Sequence, residues 1–365
     1  MRVILTGGGT GGHLYPALAV AGEMKKLTSC ELLFIGTRRG LEASVVPGLG
    51  IPFRTVWIGG LRRGRIAANL TFPLKMAVSL VQAIFLCARF RPDAAVGTGG
   101  YVSWPVITAA SMLGCYTAVQ EQNEKPGLVT RLLGRRADAV HLSFESSSRF
   151  FRNRDRLHVS GNPTRPDLEK PRSEAVYRSF GLSPDRFTIL VFGGSQGAKS
   201  LNEAFAAIAQ SLVRRTDGQI LWASGPRWHD SLKPAAEALA GRAAVLPYLS
   251  DMGSAYAAAD LVVCRSGAGA VAEIARLGKP AVFVPFPAAA DGHQEANAAV
   301  LAAAGAAKMV REGEGFAGRL EAEIAGLAAD REKRLSLGLK ASAFGRPEAA
   351  RAIARQIIEG ASCRK

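Results

Sequence analysis

The chain has 365 residues, too many for one usual domain, and 48% of them are hydrophobic, so two domains with sizeable cores are expected. Its 46 Lys and Arg against 30 Asp and Glu give a net charge of +16, which asks for an anionic partner such as a phosphorylated substrate, an anionic membrane or nucleic acid. Five cysteines without a CxxC pair, and five histidines with none at ligand spacing, point to buried thiols in a reducing compartment, not to disulfides or a metal site.

Met1 runs straight into Val3 to Thr6, a short apolar strand and not a secretion signal, and the chain reads as cytosolic. Gly7-Gly8-Gly9-Thr10-Gly11-Gly12-His13 follows, then a helix to about Leu27 and a strand from Leu32 to Gly36. Gly7, Gly9 and Gly12 satisfy GxGxxG, a dinucleotide signature that also asks for an acid near residue 37. Thr37-Arg38-Arg39 stands there instead, and two arginines suit a 2′-phosphate, so an NADP-dependent oxidoreductase stays open. The glycines equally allow a substrate to approach the backbone closely.

A basic loop, Leu61-Arg62-Arg63-Gly64-Arg65, precedes the longest apolar run, Leu70 to Ala88. That run reaches transmembrane length. Lys75, Ser79, Gln82 and Arg89 recur along it as a narrow polar stripe, and Pro73 interrupts its start. The spacing predicts a helix buried on most sides, not a span; apolar residues beside arginines also suit an anionic bilayer surface.

Ala94 to Val96 reads as a strand running into a second glycine loop, Gly97-Thr98-Gly99-Gly100-Tyr101, and a helix from Pro105 to Leu113. Cys115 to Val119 is the next strand, ending in Gln120-Glu121-Gln122-Asn123. In an open α/β sheet that carboxyl edge is where ligands bind. Pro163, Pro166 and Pro171 mark a stiff linker. The pattern then restarts with a strand, Thr188 to Phe192, and a third glycine loop, Gly193-Gly194-Ser195-Gln196-Gly197. The repetition predicts two Rossmann-like α/β domains facing each other across a cleft, residues 1–162 and 163–343, with a C-terminal helix at about 344–362 packing back on the first.

From Cys264 to Asn297 a strand ending at Cys264 breaks at Ser266-Gly267-Ala268-Gly269, and a helix from about Ala270 to Leu277 follows. Backbone N–H groups and a positive dipole end at such a turn suit a diphosphate. Glu273 would repel phosphates but accept hydrogen bonds from ribose hydroxyls. Asp291, Gln294 and Asn297, three apart, would share one helical face and hold sugar hydroxyls. The stretch reads as a nucleotide-sugar site.

The segments GGGTGGHLYPALA, GTGGYVSWP, QEQN, GNPTRP, GGSQGA and CRSG…GKPAVFVPFP…DGHQEANA stand in the order and spacing of one family. The chain resembles the MurG family from Met1 to its tail. These are the UDP-N-acetylglucosamine–undecaprenyl-diphospho-muramoyl-pentapeptide N-acetylglucosaminyltransferases of bacterial peptidoglycan synthesis. The resemblance implies a glycosyltransferase-B fold and an inverting transfer of N-acetylglucosamine from UDP-GlcNAc to the 4-hydroxyl of lipid I, giving lipid II, with no metal or other cofactor. It implies an acceptor-binding, membrane-associated first domain and a donor-binding second one, with the enzyme peripheral on the cytoplasmic face of the inner membrane.

By the same resemblance the donor contacts are Glu273 at the ribose, the Leu249 backbone at uracil, and Ser195, Ala268, Gly269 and Ala270 at the diphosphate. Arg165 would stand near the phosphates, with Gln294 and Asn297 on the sugar, and Thr10, Gly11, Gly12 and Asn123 would join from the first domain. Gly9, Gly99, Gly100 and Tyr101 would bind the acceptor, whose diphosphate the first two glycine loops would cradle. His13 and Glu121 are the two candidates for the base that takes the acceptor proton. His13, at a helix start that favours a neutral imidazole, competes there with the reading of a phosphate ligand.

Three departures from the family pattern carry expectations of their own. His293 stands where a second glutamine is common, Ala270 loses a hydroxyl, and Trp104 replaces a small residue as an interface anchor or as loop packing. The rivals are a transferase acting on another lipid acceptor such as diacylglycerol, and the oxidoreductase, which leaves Glu273 to Asn297 without a role. A nucleic-acid partner is not expected, for want of an aromatic-rich basic platform.

Overall fold

A computed structural model describes residues 1–60 and 70–364. The basic loop from Arg62 to Arg65 lies outside the described residues. The chain forms two compact units: residues 1–164 joined by 346–365, and residues 165–345.

The first unit holds a parallel sheet of seven strands in the order β3-β2-β1-β4-β5-β6-β7. These are β1 (Arg2–Thr6), β2 (Glu31–Gly36), β3 (Phe53–Thr55), β4 (Ala94–Gly97), β5 (Tyr116–Glu121), β6 (Ala139–Leu142) and β7 (Leu157–His158). Strands such as VILT and LLFIG are apolar without alternation because a parallel sheet is covered on both faces. Successive residues still point to opposite sides. Val3 and Leu5 meet the helix Gly11–Leu27, while Ile4 meets the helices Phe72–Phe90 and Ser103–Met112. The last helix, Ala349–Ser362, presents Ile353, Ala354, Ile357 and Ala361 at three- and four-residue spacing and buries them in the first unit's core.

The second unit repeats the plan with six parallel strands, β10-β9-β8-β11-β12-β13. They are β8 (Thr188–Phe192), β9 (Gln219–Ala223), β10 (Ala243–Leu246), β11 (Leu261–Cys264), β12 (Ala281–Phe283) and β13 (Lys308–Met309). Ile189, Val191 and Val263 face the helices Lys199–Thr216 and Phe316–Ala329, whose Phe205, Leu212, Leu320 and Ile324 complete that core. In each sheet the strand order reverses beside the first strand. Thr6 pairs with Gly97 and Phe192 with Cys264, so two loops leave side by side at each reversal. Crevices for ligands open at such points.

The helix Phe72–Phe90 departs from expectation. Only Ser79, Ala83 and Cys87 are buried, so the polar stripe does not mark the solvent side. The small side chains, Ser79 among them, let the helix approach the neighbouring helix Ser103–Met112 closely. The larger apolar residues Leu74, Val81 and Phe85 turn outward, 58%, 66% and 66% exposed. A helix expected to be buried on most sides therefore carries an open apolar face.

Candidate active site

At the first reversal the glycine loops after β1 and β4 are in contact. Gly99 and Gly100 have φ of +105° and +80°. A Cβ on Gly99 would lie 2.7 Å from His13 Nδ1, and one on Gly100 would lie 2.5 Å from the Gly8 carbonyl oxygen. Only glycine allows both this backbone and this approach.

His13 sits in the first turn of the helix Gly11–Leu27. Its Nδ1 lies 3.0 Å from the Thr98 carbonyl oxygen and 3.2 Å from Gln122 Oε1. Both partners accept, so Nδ1 carries a proton, and in the neutral ring Nε2 is the acceptor. The Gln122 amide is fixed in turn by donating to the Thr98 carbonyl at 2.7 Å and to Gln120 Oε1. Gln120 continues to Asn162 at 3.4 Å. The polar cluster ending β5 is thus a buried chain of amides that orients His13. Gln122, 109 positions along the sequence, is the residue that spacing could not assign.

Glu121, the other base candidate, is buried and fully engaged. Its Oε1 accepts from Asn123 N and Nδ2 at 3.0 and 3.2 Å, and its Oε2 from Gly127 N at 3.0 Å. That carboxylate shapes the loop, and Asn123 is held by it. Among the two candidates, only His13 offers a free acceptor atom.

Sequence reading also missed Glu42. Fully buried, it accepts from Gly9 N at 3.1 Å, Thr37 N at 3.0 Å and Thr37 Oγ1 at 2.7 Å. Its carboxylate occupies the Gly9 amide, one of the donors a dinucleotide diphosphate would use, and sets negative charge behind the loop. The GxGxxG match therefore does not supply an NADP site. Among the described residues the amides of Gly11 and Gly12 have no partner, because Thr10 as N-cap makes no side-chain cap. Beside them opens a cavity of about 970 Å³, whose lining includes His13, Thr10, Gly100, Tyr101, Trp57 and Gln82. Trp57 N donates to Gln82 Oε1 at 2.7 Å, which ties this wall to the helix Phe72–Phe90. Trp104, half-buried, packs against the same core as that helix.

In the second unit the helix Ala268–Leu277 begins two residues earlier than expected and has no side-chain cap at Gly267. The first-turn amides of Ala268, Gly269 and Ala270 are left as donors. Ser195 is exposed at the tip of the loop after β8. Leu249 has a buried side chain, and its backbone N–H and carbonyl take no partner among the described residues.

Glu273 is buried, 3.0 Å from the Tyr256 hydroxyl that donates to it and 3.2 Å from Arg165 Nε. Burial pushes its carboxyl above the ordinary range, with Arg165 opposing. Arg165, expected beside phosphates, here pairs with the ribose candidate.

The downstream residues are used differently from the expected single face. Asp291 sits at φ +52° in a turn before the helix His293–Ala303, so it does not continue that helix's face. Gln294 Oε1 accepts from Phe286 N at 3.0 Å, and the fully buried Asn297 donates to the Ser266 carbonyl at 3.2 Å. His293 holds the turn through its Nδ1 and the Ala290 carbonyl at 2.5 Å.

Arg265 is the second unit's counterpart to Glu42. It is buried and donates to the carbonyls of Val284 and Pro285 at 3.1 and 3.0 Å, and it pairs with Glu312 at 2.6 Å. It ties the end of β11 to the loop after β12, holding the glycine turn in place.

Residues 3–142 match the glycosyltransferase family 28 N-terminal domain and residues 188–354 its C-terminal domain. A protein of Chlorobaculum parvum is 42% identical over 98% of this chain and 99% of its own. One of Desulforudis audaxviator is 39% identical over 96% and 95%. Both are named UDP-N-acetylglucosamine–N-acetylmuramyl-(pentapeptide) pyrophosphoryl-undecaprenol N-acetylglucosamine transferase. The crystal structure of Acinetobacter baumannii MurG superposes with a TM-score of 0.78 at 30% identity, covering 98% of this chain and 99% of that one. The chain belongs to glycosyltransferase family 28 and, within it, to the MurG family of N-acetylglucosaminyltransferases with the glycosyltransferase-B fold.

Proposed function

We propose that the chain moves N-acetylglucosamine from UDP-GlcNAc to the 4-hydroxyl of the muramoyl sugar of lipid I, giving lipid II for peptidoglycan. The observation that carries the chemistry is His13, with Nδ1 held by two acceptors and Nε2 free beside a cavity. Nε2 takes the proton of the acceptor hydroxyl as its oxygen attacks the anomeric carbon. The bond from that carbon to the UDP β-phosphate oxygen breaks, and the configuration inverts. The first-turn amides at Ala268 to Ala270 and the helix dipole behind them stabilise the charge gathering on UDP. Leu249's free backbone groups suit a uracil edge and Glu273 the paired ribose hydroxyls. The unpartnered Gly11 and Gly12 amides suit the acceptor's diphosphate, which favours it over a neutral lipid acceptor. Gln294 and Asn297 act on the donor sugar chiefly by fixing the loop around Ser266.

Metal-free turnover of UDP-GlcNAc with a lipid I analogue, undiminished by EDTA, is the expected result. Absence of turnover together with tight NADPH binding by calorimetry would overturn this reading.

The outward face of the helix Phe72–Phe90 supports a peripheral seat on the cytoplasmic leaflet of the inner membrane. It adjoins the cavity through Gln82 and Trp57, and Lys75 lies 5.8 Å over the Trp57 ring. A lipid tail leaving the cavity would thus meet an apolar surface flanked by positive charge. Each buried apolar side chain contributes about 1.5–3 kcal/mol. Changing Leu74, Val81 and Phe85 together to serine should therefore weaken sedimentation with anionic vesicles by at least about tenfold. Turnover of a short-chain, water-soluble acceptor should not change. Undiminished vesicle binding would remove this face from the membrane contact.

A further inference from the structure

We propose that Arg38 and Arg39 recognise carboxylates of the acceptor's peptide and so act as a specificity element; this rests on the transferase reading above. Both arginines follow β2, are exposed, and line the same cavity as His13, Thr10, Gly100 and Tyr101. Neither makes an ion pair or hydrogen bond among the described residues. They are the only Lys or Arg among the described residues lining the cavity, and no Asp or Glu lines it. Two guanidinium groups at a concave wall, with no carboxylate partner among the described residues, suit an anion, and the planar fork of Arg matches a carboxylate with two parallel hydrogen bonds.

The wall itself decides which anion. Directly behind it the Glu42 carboxylate is bonded to Gly9, and to Thr37 through both N and Oγ1. A Cβ on Gly40 would lie 2.1 Å from that carboxylate. A diphosphate packed on this backbone would face a buried negative charge, whereas the Gly11 and Gly12 amides at the helix start offer it uncompensated donors. The arginine side chains are long enough to carry their charge away from Glu42 into the cavity. At about 970 Å³ the cavity stands at the upper end of the range that holds a drug-sized ligand, more than one sugar ring needs. The relatives' name specifies a muramyl-pentapeptide acceptor. A peptide attached through its amino end keeps a C-terminal carboxylate, and any acidic side chain adds another. Arg38 and Arg39 are placed to take these groups while His13 faces the sugar.

The test compares the parent with an Arg38→Ala/Arg39→Ala double variant on two water-soluble muramoyl-pentapeptide diphosphate analogues. One has free peptide carboxylates and the other has them amidated. Binding is read by calorimetry, and acceptor KM and kcat by transfer from UDP-GlcNAc. The variant should bind the free-carboxylate analogue about ten- to a hundredfold more weakly, the loss expected for charge-assisted hydrogen bonds. Its kcat, its donor KM and its affinity for the amidated analogue should match the parent's. A double lysine variant, keeping charge without the fork, should fall between. An equal loss on both analogues would assign the arginines to the diphosphate and overturn the proposal, and no loss on either would do the same. A parent that discriminates between the analogues through these arginines but transfers nothing strikes only the transferase reading. A parent that transfers with a variant that discriminates equally well strikes only this one.

Discussion

His13→Asn is expected to lower kcat by about 10²- to 10⁴-fold, the usual contribution of a positioned general base, and to leave donor KM within a few-fold. Asparagine keeps a side-chain donor near the Thr98 carbonyl, so the two glycine loops stay in place while the proton acceptor is lost. Glu121→Gln gives the contrast. Glu121 spends both oxygens on the amides of Asn123 and Gly127, so its variant should act on loop stability and acceptor KM. Gln122→Leu removes one of the two acceptors that hold the His13 tautomer and should cost about tenfold in kcat with little change in either KM. Steady-state kcat and KM for each variant distinguish these cases. If Glu121→Gln loses kcat as His13→Asn does, the base assignment moves to Glu121.

The sheets and the glycine loops were legible because they follow from local rules. Apolar runs of four to six residues such as TILVF and LVVC end in small residues that no strand interior favours, and a helix pattern follows each. The uncapped amides of Ala268 to Ala270 follow from Gly267, which has no side chain to cap them. The groups that hold the site together were not legible, because their partners are far apart in sequence. Glu42 belongs to no sequence motif, and its partner Gly9 is 33 positions away. Arg265 stands just before the Ser266–Gly269 break, yet its partner Glu312 lies beyond two further α-helices and two strands. The helix Phe72–Phe90 was misjudged for a different reason. Hydropathy ranks Leu74 and Phe85 as interior and Ser79 as surface, but close packing against the helix Ser103–Met112 selects for small size, and that reverses the faces. Asp291 shows the limit of counting by threes, since a left-handed residue separates it from the helix it was assigned to.

Glu273→Gln is expected to raise the donor KM by about tenfold or more, the loss of hydrogen bonds to a charged acceptor, while the melting temperature holds or rises at neutral pH. The two effects share one cause. Burial pushes the Glu273 carboxyl upward, with Arg165, the Tyr256 hydroxyl and Arg276 only partly opposing. A carboxyl whose folded value lies above its unfolded one binds its proton more tightly in the folded chain. Stability therefore falls as pH rises from the unfolded value through the folded one, and above that window the whole cost is present. Glutamine removes the charge and the cost, keeps a carbonyl for the Tyr256 hydroxyl, and fills the same volume. On the proposed ribose role, keeping this destabilising carboxylate trades stability for binding. The same shift predicts that donor KM in the parent climbs on the acid side at higher pH than an ordinary carboxylate would require, and that this dependence is absent in Glu273→Gln. Thermal melts at pH 5 and pH 8, run beside donor KM at both, test the account. A glutamine variant that melts earlier at pH 8 and binds donor normally would make Glu273 a structural partner of Arg165, and the ribose contact would have to be sought elsewhere along the Ala268–Leu277 helix.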